Sequence, residues 1–316
     1  MASTPNRGVV IISIDTEQFW GYHDLLSEAG FEARFPNAPQ AHALLLNRIC
    51  AAGVSATWFV VGGLAVGSGL GAQDRPLWQC RRFLELLRDA DPAQEIGLHG
   101  GLTHLIWTDR RTNREIAHRE LREGIAALAR LGTAPRSFSY PRNGEAYHDL
   151  LPRYGIHCFR GAPPTLSWRL GRTIPGAILR ASDELRCATP PLVWPRMYSP
   201  GLWTLPASMF LYPIRPVRTG LIGLRSRLKR FISGVEAAAR NHKVFHFCFH
   251  PENLAESPHG FPLLDEILEI LVQARNRGDI EVMTVSDVIA RVDRRQQHVL
   301  REHHNCAQLS ETPRSF

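Results

Sequence analysis

The chain has 316 residues, 44% of them hydrophobic, which is enough to bury a large core. No stretch approaches the roughly 18 consecutive apolar residues of a membrane span, and the six cysteines are scattered without a Cys-x-x-Cys pair, so neither a zinc knuckle nor a redox centre is expected. The formal charge of +7 is uneven: between Leu185 and Val235 stand eight Arg or Lys and no Asp or Glu. That segment suits an anionic partner, and no recognised nucleic-acid motif accompanies it.

In chain order, Gly8 to Ile14 is β-branched and apolar and reads as a buried parallel strand ending at Asp15-Thr16-Glu17. Before it, residues 1 to 8 contain no charged region followed by an apolar run, so a cytoplasmic protein is expected. A long polar and aromatic loop, 18 to 36, precedes a helix over Ala38 to Ala52 that stops at Gly53. Strand 55 to 61, helix 78 to 90 and a short strand Glu95 to Leu98 lead into His99. Thr112-Asn113-Arg114-Glu115 fits a capping box for a helix that ends at Gly132. A strand over Ser137 to Tyr140, a short helix over Tyr147 to Tyr154 and a strand over Ile156 to Arg160 follow.

Residues 161 to 216 are rich in Pro, Trp and Arg with weak periodicity, and read as extended binding loops. The remainder alternates a basic helix (219 to 241), a strand (244 to 249), a helix (263 to 276), a strand (280 to 284) and a helix (285 to 292). Such alternation is that of a parallel α/β fold. One catalytic domain over 1 to 293 and a loose polar tail over 294 to 316 are expected, with His303 and His304 of the tail read as solvated.

Side chains on a strand repeat every two residues, so Asp15 and Glu17 project to the same side at the strand's carboxyl end. His99 and His104 are five apart, a spacing that converges only through an irregular turn, which Gly100 and Gly101 permit. With Glu17 they make a His, His, carboxylate set of the kind found in catalytic zinc sites. In Val244 to His250, alternation puts Phe245, Phe247 and Phe249 on one face and His246, Cys248 and His250 on the other. Residues at the carboxyl ends of barrel strands read as catalytic.

Taken in order, these segments resemble the motifs of the polysaccharide deacetylases with the NodB-type fold, carbohydrate esterase family 4. Ile14 to Glu17 is similar to the first motif, Glu95 to His104 to the second, Ser139-Tyr140-Pro141-Arg142-Asn143 to the third and Phe249-His250-Pro251-Glu252-Asn253-Leu254 to the last. The chain departs from the family in three places. Thr16 separates the acids, the histidines are one residue further apart, and Ser139 and Tyr140 stand where an Arg normally precedes the Pro.

The resemblance implies a distorted (β/α) barrel and a metal-dependent hydrolase that removes an N-acetyl group from an amino sugar. The resemblance makes Glu17, His99 and His104 the implied ligands of a divalent metal, Zn2+ by family habit, with Asp15 as general base, Arg142 holding it ionised and His250 as general acid. Substrate contacts are expected from Tyr140, Asn143, Trp20, Trp203, Glu252 and Asn253, with Trp194 and Tyr212 as further sugar platforms. Leu202 to Ser208 resembles a segment of bacterial glycan-assembly members, which points to surface glycan of O-antigen or capsule type. The basic segment Arg215 to Arg230 suits a uronic acid, a nucleotide sugar or a lipid-linked saccharide, with peripheral contact to an anionic membrane. A deformylase or ureide-opening amidase of the same fold and a non-catalytic sugar-binding relative are the alternatives.

Overall fold

The computed structural model describes residues 7–66, 77–171, 173–212, 222–294 and 296. Its elements, in chain order, are β1 (Gly8–Thr16), α1 (Glu28–Arg34), α2 (Ala38–Ala51), β2 (Thr57–Val60), α3 (Gly63–Val66), α4 (Arg81–Arg88), β3 (Glu95–His99), α5 (Arg114–Ala129), β4 (Ser137–Ser139) and β5 (Cys158–Arg160). After these come α6 (Leu166–Arg169), α7 (Ile174–Leu185), β6 (Arg196–Ser199), β7 (Leu202–Thr204), β8 (Met209–Phe210), α8 (Ile222–Asn241), β9 (Val244–Phe249), α9 (Pro251–Ala255), α10 (Gly260–Asn276) and β10 (Ile280–Val282). Residues 285–294 form a last helical stretch.

The strands lie in the order β6-β7-β5-β4-β3-β2-β1-β9-β8, parallel except for the β6–β7 pair, and β10 joins β1. β1 occupies the centre: β9 runs along one edge, while β10 takes the first part of the other edge and β2 the last. A single segment bends the sheet round on itself. Leu205 and Ala207 donate backbone hydrogen bonds to Phe159 of β5 and to Gly161 just after it, and Ser208 and Leu211 donate to His246 and Cys248 of β9. The result is the distorted barrel expected from the alternation of strands and helices.

Alternation divides the core in two. Val10, Ile12 and Ile14 of β1 pack outward with Phe245, Phe247 and Phe249 of β9 against the helices, where Phe231 of α8 meets Phe245 and Phe247 at ring-centroid distances of 5.5 and 5.1 Å. Val9 and Ile11 turn inward to Phe59, Cys158, Trp203 and Leu205, and Val285, Val288 and Ile289 complete this inner cluster. Further along the same inward faces the side chains become polar: Ser13, Asp15, His99, Arg160 and His246 are all buried.

Two segments differ from their expected loops. Residues 18–36 hold a 3-10 turn at Gln18–Gly21 and α1, whose Phe31 joins Phe19, Phe35 and Leu77 in a small satellite core. Residues 161–212 hold α6, α7 and three short strands. Neither helix registers in the hydrophobic pattern, because α7 buries only Gly176 and turns apolar side chains outward. The expected tail at 294–316, with His303 and His304, and the basic residues Arg215 and Arg218 lie outside the described residues, apart from 294 and 296 at the start of the tail. The five described cysteines are free, with Cys158 and Cys248 buried.

The loop after β3 depends on a close backbone contact. Gly62 and Gly63 donate to the carbonyls of Gly101 and Leu102 at 2.9 and 2.6 Å, and a Cβ on Gly124 of α5 would collide with the backbone of Gly101. Gly124→Ala is therefore expected to destabilise the fold by about 1–3 kcal/mol, measured by urea denaturation, because either α5 or the His99–His104 loop must move.

Candidate active site

At the carboxyl end of the barrel a cavity of about 490 Å³ is lined by Asp15, Glu17, His99, His104, Arg160 and His250, among others. That volume lies within the usual range for small-molecule sites. β1 delivers its two acids as the alternation requires: Thr16 pairs with Val60 of β2, so Asp15 and Glu17 share the inward side. Both carboxylates meet one imidazole, His250 Nε2 lying 3.4 Å from Asp15 Oδ2 and Nδ1 3.2 Å from Glu17 Oε1.

Glu17, His99 and His104 form the cluster able to hold a cation, with donor atoms all within 4.8 Å of one another. Glu17 Oε2 is 3.1 Å from His99 Nε2 and 2.9 Å from His104 Nε2. The convergence of the histidines comes from the glycines between them, Gly100 at φ 78° and Gly101 at φ 154°, conformations that side-chain-bearing residues rarely adopt. Glu120 anchors the turn by accepting from the Thr103 amide and hydroxyl at 2.7 and 3.0 Å, and Trp107 Nε1 donates to the Gly100 carbonyl at 2.8 Å.

The donor set fits a divalent metal. His99 Nδ1 lies 3.0 Å from the Ser139 carbonyl, which can only accept, so that nitrogen carries a proton and, in the neutral ring that a metal ligand must be, Nε2 is the atom that turns a lone pair toward Glu17. A lone pair and a carboxylate facing each other in a buried pocket are compensated by a cation between them. Burial pushes the pKa of His104 down despite the pull of Glu17, which favours the neutral, ligating form. Burial opposes the charge of Glu17 too, but the charge of His250 outweighs it and holds its pKa well below the ordinary range.

Gly21 leaves room for that carboxylate. A Cβ at this position would fall on the carboxyl group of Glu17, so the turn at Gln18–Gly21 packs its backbone against the acid.

Asp15 is held by Arg160 and not by Arg142, the residue the third motif implies. Arg160 Nη1 and Nη2 donate to Asp15 Oδ1 and Oδ2 at 2.8 and 2.6 Å, both residues being buried. Burial raises the pKa of Asp15, yet the Arg160 charge and the neighbouring histidines overcome this and keep the carboxylate ionised. Arg142 instead donates to Asp24 at 2.6 Å, tying the turn after β4 to the turn after β1 at the cavity mouth. Sequence reasoning missed Arg160 because it precedes no Pro and ends an otherwise ordinary strand.

Beneath Asp15 the network continues. Ser13 Oγ accepts from Arg160 Nη1 at 3.2 Å and donates to His246 Nε2 at 2.8 Å, while His246 Nδ1 donates to the Pro206 carbonyl at 3.1 Å. Burial and the Arg160 charge lower the pKa of His246 to about 3, so it stays neutral. His250 differs: burial opposes its charge, but Glu17 and Asp15 prevail and raise it to about 9.

Of the remaining expected contacts, Tyr140, Asn143 and Asn253 line the cavity, Asn253 held by the Leu211 carbonyl at 2.8 Å. Trp20, Trp203 and Glu252 do not. Trp20 is buried against Trp78, donating to its carbonyl at 3.0 Å, and Trp203 belongs to the barrel interior. Glu252 is wholly buried, 3.7 Å from His42, and burial raises its pKa to about 8. Large aromatic residues want a packing partner first, which is why they were drawn into the core. The aromatics at the cavity are Tyr22, Tyr140, Trp168, Phe210 and Tyr212.

No family model matches the chain, and no curated protein does. Solved structures do. A putative polysaccharide deacetylase from Mycobacterium smegmatis shares 19% identity over 93% of this chain and 94% of its own, with a TM-score of 0.65. The fold is that of the polysaccharide deacetylases. A probable polysaccharide deacetylase from Pseudomonas aeruginosa matches at 11% identity over 89% of each chain with a TM-score of 0.59, and an allantoinase at 12% over 90% of each with a TM-score of 0.60. The polysaccharide deacetylase fold thus carries more than one activity, and the assignment of chemistry falls to the side chains.

Three substitutions test this geometry. Arg160→Met is expected to cost about 3–5 kcal/mol of stability by leaving Asp15 buried and unpaired, whereas Arg142→Met should cost about 1 kcal/mol or less because its partner Asp24 is partly exposed. Denaturant titration compares the two. If Glu17, His99 and His104 hold a divalent metal, Gly21→Ala is expected to weaken its binding about 10–100-fold, the range typical of lost support for a ligand, read by competition with a chromophoric chelator.

Proposed function

We propose that the protein is a metal-dependent hydrolase that removes an N-acetyl group from an amino sugar. The observation that carries this reading is the coexistence in one cavity of a Glu17, His99, His104 donor cluster and a separate carboxylate, Asp15, fixed by Arg160. Glu17, His99 and His104 would hold the ion, and two imidazoles with one carboxylate suit Zn2+. Such an ion supplies a Lewis acid that polarises the amide carbonyl and acidifies water.

The chain's own residues do the rest in this reading. Asp15 accepts the proton of the attacking water on Oδ2, while Arg160 keeps that carboxylate oriented and ionised until the proton arrives. The backbone N–H of Tyr140, at the exit of β4, donates to the developing oxyanion. His250, charged at neutral pH, returns a proton to the nitrogen as the C–N bond breaks, because an amine anion is a very poor leaving group. Asn143 and Asn253 offer amides to sugar hydroxyls, and Trp168 and Tyr212 offer flat faces for the ring.

We assign the substrate to bacterial surface-glycan assembly of O-antigen or capsule type on the likeness of Leu202 to Ser208 to members with that role. Acetate release from N-acetylated sugars, set beside N-formyl and ureide substrates, tests the reaction class; exclusive turnover of a formyl or ureide compound would replace the acetyl reading. Asp15→Asn is expected to lower kcat by about 10²–10⁴-fold with zinc content unchanged. Glu17→Ala, His99→Ala and His104→Ala should each lose bound metal by elemental analysis, and full occupancy in all three would refute the ligand set.

A further inference from the structure

The α6–α7 hairpin forms one wall of the cavity through Trp168, Gly171 and Arg180. It is internally braced: Arg180 Nη1 donates to the carbonyls of Ser167 and Gly171 at 2.8 Å each, tying α7 to α6, and Thr173 caps α7 by accepting from the Gly176 amide at 3.3 Å. On the other side Ser226 of α8 donates to the Glu184 carbonyl, and Arg227 of α8 lies 3.7 Å from the Glu184 carboxylate.

The outward side of this fixed element is apolar. Leu166 is 62% exposed, Ile174 78%, Ile178 62% and Leu185 63%. Ile174, Ile178 and Leu185 recur at helical spacing on one stripe of α7, with Ala177 and Ala181 exposed beside them. A stripe of this kind on a rigid helix is a contact surface in search of an apolar medium. Leu25, 56% exposed, lines the cavity from the turn after β1, so apolar side chains flank the mouth.

Charge selects the partner. The hairpin's exposed ionic residues include Arg169 at the end of α6 and Arg186 at the end of α7, whereas its acids, Asp183 and Glu184, are half-buried. Downstream, 186 to 234 carries no acid at all. Cations flanking an apolar helical stripe match a bilayer with anionic headgroups, whereas a second copy of the same surface would set like charges together.

We propose that the α6–α7 hairpin is an interfacial docking element that seats its apolar stripe in the headgroup region of an anionic bilayer and holds the cavity mouth at the lipid surface. No helix of the described residues is long and apolar enough to cross a membrane, so the contact is peripheral. The proposal is independent of the hydrolytic reading, and its test uses no turnover.

The full chain is sedimented with vesicles of phosphatidylglycerol and phosphatidylethanolamine, and with phosphatidylcholine vesicles for comparison. Binding to the anionic vesicles is expected at low salt, at least about tenfold stronger than to phosphatidylcholine and weakened by high salt. The Ile174→Asp/Ile178→Asp variant, altered only at exposed positions, should lose at least about tenfold in vesicle affinity with an unchanged melting temperature. Leu166→Asp/Leu185→Asp gives the same reading from α6 and from the end of α7. Absence of binding at low salt, equal binding by both variants, or a concentration-dependent dimer that the variants abolish without any vesicle association would overturn the proposal.

Discussion

A carboxylate deep in a barrel stays charged only if a cation is brought to it, and everything around Asp15 follows from that requirement. The cation is Arg160, which reaches from β5 across the barrel interior to β1 and binds both carboxylate oxygens. The guanidinium is itself provided for: Ser13 accepts from it and its carbon lies 5.2 Å from the centre of the Phe59 ring. His246 remains neutral below, so it places no positive charge against the guanidinium. The pair cannot form in a flat sheet. It depends on the segment 202–211, whose hydrogen bonds to β5 and β9 bend the strands until β5 faces β1.

A second constraint is steric. The two imidazoles reach Glu17 because glycines at 100 and 101 adopt backbone angles open to few other residues, and because Gly62, Gly63 and Gly124 let three backbone segments touch. Gly21 extends this logic to the acid itself. Each of these positions gives up a side chain so that a ligand atom can lie within a few ångströms of another. The cluster is therefore built as much by absent Cβ atoms as by the donors, and its geometry is a property of packed backbone more than of flexible side chains.

The same α6–α7 hairpin that walls the cavity leaves its own hydrophobic side uncovered. In most helices of the fold the apolar stripe faces the sheet, as Leu263, Leu264, Ile267 and Leu271 of α10 do. In α7 the direction is reversed: Gly176 packs on α6 within the hairpin, and Ser226 and Arg227 of α8 hold its far end through Glu184.

Much of the fold and a good part of the site were legible in the sequence, for local reasons. A period of two in 8–17 and 244–250 tells which side chains share a face, and this alone put Asp15 with Glu17 and His250 with His246, apart from Phe245, Phe247 and Phe249. Gly100 and Gly101 announced a turn that lets His99 and His104 converge. Arg160 was invisible as the partner of Asp15, since 145 positions separate the two and only barrel closure makes them neighbours. Trp20, Trp203 and Glu252 misled for the complementary reason: their residue types fit a sugar site, but whether such a group lines a cavity or fills a core depends on what packs against it. Periodicity is a property of one strand or helix, and the sequence determines it alone; which strand faces which, and hence which cation meets which acid, is decided only when the sheet curls.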